Sequence, residues 1–163
     1  MTDVIRSFDD FEEMAMKVTN LIAASALSLA ALYAPQAAAQ TWTGTKVAPT
    51  VYSLNTENSA FFSAPGTVGT TAVITGGTWT AAPYPSANNA THEYQICYMR
   101  PTATTYTCGL PTNQPSGTIG FTNEPARGAF KIVVKLIQSD PPYPVFPVNP
   151  GPNQNFSVTV NFK

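Results

Sequence analysis

Cys97 and Cys108, the only cysteines of this 163-residue chain, are the residues whose spacing most directly implies covalent chemistry. In an oxidising compartment an even count favours a disulfide. If the two lie opposite one another on antiparallel strands, equal steps set Met99 against Tyr106 and Arg100 against Thr105. Pro101 to Thr104 then form a four-residue loop, in which Pro101 suits the early position of a type I turn. Cross-strand bridges favour the closer, non-hydrogen-bonded pairs. A redox or metal role would need a low-pKa thiol or further ligands. The lone His92 offers no zinc or thioredoxin-like spacing.

Other groups able to do chemistry are few. After residue 39 the carboxylates are Glu57, Glu93, Glu124 and Asp140, and no spacing pairs two of them for glycoside cleavage. His92 and Glu93 are adjacent, so on a strand they point to opposite faces and cannot act as a base and its orienting acid. The nucleophile elbow, the HExxH helix, the phosphate-cradling loop and the calcium loop are missing from the sequence. We therefore expect no enzyme, no cofactor and no metal site. Trp42, Trp79, Tyr84, Tyr94, Tyr98 and Tyr106 could form a stacking platform for sugar rings. The competing reading places them in the core or in cross-strand pairs.

The elements that must position these residues read as strands. Phe130, Ile132, Val134 and Leu136 alternate along Ala129 to Ile137, with Lys131 and Lys135 on the other face. Phe156, Val158, Val160 and Phe162 alternate with Ser157, Thr159 and Asn161, as in a strand with one face on a core and one in water. Further strands are expected at Lys46 to Leu54, Thr70 to Thr75, Thr78 to Ala81, Glu93 to Arg100, Thr105 to Leu110 and Thr118 to Thr122. Gly76 and Gly77, Pro83 to Asn89 and Asn123 to Gly128 supply turns or a bulge. The fold class is all-β: an immunoglobulin-like antiparallel β-sandwich of about seven strands, forming one domain over residues 40–163.

A proline-rich loop at 140–152 joins the two best strands. In a polyproline II helix Pro141, Pro144, Pro147 and Pro150 share one edge, and Tyr143 and Phe146 share another. Such a surface could dock against a partner. Alternatively the segment packs Tyr143 and Phe146 on its own sandwich.

Residues 1–39 read as a signal peptide. Lys17 precedes an apolar stretch from Leu21 to Tyr33, and Ala37, Ala38 and Ala39 precede Gln40. The acidic run Asp9, Asp10, Glu12, Glu13 does not suit a leading region, so translation is expected to start at Met14 or Met16. The apolar run is short for a transmembrane helix, which needs about 20 residues, so no stable membrane span is expected after cleavage. Cleavage removes Arg6 and Lys17 with Asp3, Asp9, Asp10, Glu12 and Glu13. The formal charge of −1 becomes +2, since six basic and four acidic residues remain. Without clustered Lys and Arg, no nucleic-acid partner is implied. The remainder is poor in charge and rich in Thr, Asn, Gly and Pro, which suits an extracellular β domain but removes one defence against edge-to-edge association.

In outline the closing Phe156 to Phe162 strand resembles the C-terminal strand of bacterial pilin subunits, including those assembled through a chaperone and usher. That resemblance implies that Gln40 to Leu54 completes a neighbour's sheet by strand addition. Pro49 interrupts that segment, Gly44 and Lys46 break its alternation, and the cysteine pair is closer in sequence than the bridge common in those pilins. No family follows. The expectation is an exported, non-enzymatic structural or adhesive protein, periplasmic or extracellular in a bacterium, with self-association or an envelope protein as its partner. The alternative is a monomeric secreted module that binds carbohydrate or protein, with Tyr143, Phe146, Trp42 and Trp79 as candidate contact residues.

Overall fold

The computed structural model describes residues 38–163, except Asn88, Asp140, Pro142 and Asn153. The expected signal peptide thus lies outside the described residues, apart from its last two positions. No helix among the described residues is long and apolar enough to cross a membrane.

Two four-stranded antiparallel sheets face one another. Their strands are β1 (Gln40–Val47), β2 (Asn58–Ser63), β3 (Ile74–Thr80), β4 (Ala90–Met99), β5 (Thr107–Cys108), β6 (Ser116–Thr118), β7 (Ala129–Ser139) and β8 (Asn155–Phe162). The orders are β1-β8-β3-β6 and β2-β7-β4-β5. Strict alternation puts β7 and β8 inside their sheets, because each can bury one complete face. Phe130, Ile132, Val134 and Leu136 of β7 are buried, opposite Phe156, Val158, Val160 and Phe162 of β8. Tyr94, Ile96 and Tyr98 of β4 join them in the same core. Phe130 sits in an aromatic cluster, with ring centroids 5.9 Å from Trp42, 5.1 Å from Tyr98 and 6.4 Å from Phe121.

Several boundaries differ from those expected, each for a local reason. The first strand is Gln40–Val47 rather than Lys46 to Leu54. Pro49 has no N–H to continue the ladder, and beyond it only Val51 pairs, as an isolated bridge with Val148. Gly44 breaks the alternation of β1 because the Phe62 ring lies over it, where a Cβ would come within 3.1 Å. Asn58–Ser63 is a strand that the adjacent Phe61 and Phe62 conceal, since Phe62 faces the core and Phe61 faces water. Of the segments expected at Thr70 to Thr75 and Thr78 to Ala81, Ile74–Thr75 and Thr78–Thr80 fall in the single strand β3, with a register shift between Ile74 and Gly76, while Thr70 to Val73 and Ala81 lie outside it. The glycine pair therefore lies within a strand, just after a bulge at Thr75, and is not a turn between two strands. Thr105 to Leu110 shrinks to the two-residue edge strand β5, and the three-residue edge strand β6, Ser116–Thr118, lies ahead of the expected Thr118 to Thr122 and shares only Thr118 with it.

The cysteines are joined. Cys97 pairs with Cys108 across β4 and β5, with Cα atoms 3.9 Å apart. The neighbouring Gly109 N–H donates to Ile96 O at 2.9 Å, which makes the cysteines the non-hydrogen-bonded pair expected from the sequence. The ladder ends at Tyr98 and Thr107, and Ala103 N–H donates to Arg100 O to close the turn. Because β5 is so short, the bridge holds this edge more than its backbone bonds do. Replacing both cysteines by alanine is expected to lower the unfolding free energy by about 2–3 kcal/mol, read as a lower urea midpoint.

Candidate functional site

The titratable groups do not converge. Glu124 accepts a bidentate bond from Arg100, Nε to Oε2 at 2.6 Å and Nη2 to Oε1 at 2.7 Å, which holds its carboxyl below the usual range. Glu93 lies 2.9 Å from Lys135 Nζ on the outer face of the second sheet. His92 is on the opposite, inner side, stacked between Tyr84 and Tyr94 with centroids 6.1 Å from each. Asp140 lies outside the described residues. Among the described residues no group of three or more His, Cys, Asp or Glu is placed to hold a metal ion.

His92 nevertheless has a measurable consequence. Its Nε2 is buried with no hydrogen-bond partner, and burial pushes its pKa below 6.5, against the opposing effect of a hydrogen bond that the ring donates to the Tyr84 backbone. The unfolded chain therefore binds the extra proton first. The stability held by this group is whole above about pH 6.5 and is lost as pH falls through the folded value. His92→Phe, which keeps the ring stack, should flatten the decline in Tm below pH 6.5. The loss tied to Glu124 lies lower, in the carboxylate range, and should persist in that variant.

The candidate aromatic platform is mostly interior. Trp42 and Trp79 are 7 % and 3 % exposed, and Tyr84, Tyr94 and Tyr98 are also buried. This corrects the reading of Trp42 and Trp79 as contact residues: their spacing puts both on inward faces of β1 and β3. Tyr84 Oη donates to Pro49 O at 2.6 Å and Tyr98 Oη to Pro125 O at 2.7 Å, so these phenols tie loops to the core. Only Tyr106 faces outward, half-buried, 6.2 Å from Phe61 and with Lys131 Nζ 5.1 Å from its ring centroid. Phe61, 57 % exposed, was not identifiable in advance because its strand was not.

The proline tract divides the two residues that were expected to act together. Phe146 packs against the core, whereas Tyr143 is 60 % exposed. Val148 is buried and exchanges two backbone bonds with Val51, at 2.8 and 2.9 Å, which anchors the tract to the sandwich. Tyr143, Pro144 and Val145 then border an open recess of about 450 Å³ shared with Pro85, Ser86, Ala87 and Asn89.

The most regular surface is the outer face of the first sheet. Its registers align three rows across the strands. Thr41, Asn161 and Gly76 form one; Thr43, Thr159, Thr78 and Thr118 a second; Thr45, Ser157, Thr80 and Ser116 a third. Thr41 Oγ1 donates to Asn161 Oδ1 at 3.0 Å, and the Thr43 and Thr159 hydroxyls are 3.0 Å apart. No row contains a charged side chain. The pattern follows from sequence: T-W-T-G-T, T-W-T and S-V-T-V-N each send hydroxyls or amides outward while Trp, Val and Gly face in.

No protein-family model matches the chain, and no curated protein matches it. Among solved structures, the fold is similar to the crystal structure of FLHE, with a TM-score of 0.54 and 18 % sequence identity, over 78 % of this chain and 99 % of that one. At that identity the likeness establishes the shared β-sandwich architecture.

Proposed function

We propose that the protein is an exported, non-enzymatic structural or adhesive β-sandwich protein that works at the bacterial envelope or cell surface. The observation that carries this reading is the uncharged face of Thr, Ser and Asn rows on the first sheet. Such a face offers hydroxyl donors and acceptors to another polar surface without removing ions from water. The disulfide fits the same setting, since such bridges persist in oxidising compartments. In this reading the protein acts by contact, and its groups bind without turning over a substrate.

The test is fractionation of bacteria producing the full chain, followed by retention of the protein on isolated envelopes. We expect recovery outside the cytosol and retention that falls when Thr43, Thr78 and Thr159 are replaced together by lysine. Cytosolic recovery with two free thiols, or unchanged retention of the lysine variant, would reject it.

A second reading, a monomeric module for carbohydrate or protein, draws on Phe61, Tyr106 and Lys131, which set an aromatic pair and a cation side by side in water. Phe61→Ala should then abolish glycan or protein binding with no change in Tm.

A further inference from the structure

The four sheet edges are unequal. Edge strands β5 and β6 are two and three residues long, and β5 is closed by the disulfide. At the other ends lie β2, of six residues, and β1, of eight. Long edge strands are templates for pairing unless proline, charge or a bulge blocks them. Within Gln40–Val47 there is no proline, and its one charge is Lys46 near the end.

The direction of the free backbone groups in β1 can be fixed. Ala48 N–H donates to Gln154 O at 3.2 Å, in continuation of the β1–β8 register. Backbone groups alternate along a strand, so the even-numbered residues turn theirs toward β8. Thr41, Thr43, Thr45 and Val47 therefore turn theirs outward, where no partner among the described residues meets them.

From this we infer that two copies of the chain join edge to edge through antiparallel β1 strands, about a two-fold axis at Thr43. That register pairs outward-facing groups with outward-facing groups: Thr43 with its counterpart, and Thr41 with Thr45 of the second copy. The side chains agree. On the outer face threonine meets threonine, a favourable cross-strand pair. On the inner face Trp42 falls opposite the second copy's Gly44, which brings no side chain of its own to the seam. Lys46 falls opposite Gln40 and the two lysines stay apart, which avoids like charges across the seam. Such an isologous contact closes on itself and gives a dimer rather than a fibre. It rests on the folded sandwich alone and holds or fails apart from the surface role proposed above.

The test uses the purified full chain. Sedimentation over a range of concentrations should show a monomer–dimer equilibrium. Thr43→Pro removes an N–H that makes no bond within its own chain, so Tm should hold while the dimer dissociation constant rises about tenfold or more, through two lost bonds at the axis. A second measurement does not rely on that proline. In a hydrogen-bonded antiparallel pair the Cα atoms lie about 5.5 Å apart, within disulfide reach. Mild oxidation should then link Thr43→Cys into a covalent dimer and leave Thr80→Cys, on the same face of β3, unlinked. A monomer at every concentration, including one whose edge is covered by its own residues 1–37, would overturn the inference. Equal linking of the two cysteine variants, or a folded Thr43→Pro protein that dimerises undiminished, would do the same.

Discussion

Phe130→Ala is expected to lower the unfolding free energy by about 3–5 kcal/mol, the range for removing a fully buried aromatic ring. Phe130 lies on β7 between Phe62 and Tyr98 in register, and its ring also touches Trp42 and Phe121. Those neighbours come from four different segments of the fold, so none can move into the space without dragging its own strand or loop. The cavity should stay open and its cost should stay high. Urea unfolding followed by tryptophan fluorescence would read the effect, because Trp42 lies beside the deleted ring. Phe61→Ala supplies the control: it removes a ring of the same size from the same pair of strands, but on the water side, and should change stability by less than about 0.5 kcal/mol.

Gly77→Ala should be nearly as damaging, at about 3 kcal/mol or more, while Gly76→Ala one residue earlier should cost about 1 kcal/mol. Gly77 lies in the middle of the first sheet, where a Cβ would sit 2.2 Å from the Thr159 carbonyl oxygen and 2.9 Å from an Ile119 methyl. The first of these is backbone held by the β3–β8 ladder, so relief requires the strands to part. A φ of +154° adds strain that an L side chain rarely tolerates. At Gly76 nothing lies within 4 Å of the added carbon, which leaves the backbone term alone. If the two variants melted at the same temperature, steric closure of the sheet at Gly77 would be refuted.

The contrast between these glycines also marks how far the sequence could be read. Alternation in β7 and β8 was legible because each strand buries one face completely, and that was enough for an all-β sandwich. The cysteine register was legible because a bridge between antiparallel strands leaves few alternatives. Where one element's pattern is set by another, local reading failed. Gly44 breaks the rhythm of β1 because Phe62, eighteen residues later in the chain, fills the place of its side chain. Phe61 and Phe62 look like a short apolar run until the sheet separates them. Trp42 and Trp79 have the composition of a binding platform, and only the packing of the sandwich puts them inside. The Thr, Ser and Asn rows belong to this class too: each short motif is plain in sequence, but their alignment depends on the registers of four strands far apart along the chain.

That alignment has a bearing on where such a protein could operate. Attraction between exposed ions fades within about 10 Å at 0.1 M salt and is shorter-ranged in stronger brine, and carboxylate contacts vanish in acid. A meeting of hydroxyl rows involves neither dependence. If the proposed contact forms through these rows, its grip should be much the same in dilute freshwater, in seawater and in mildly sour surroundings.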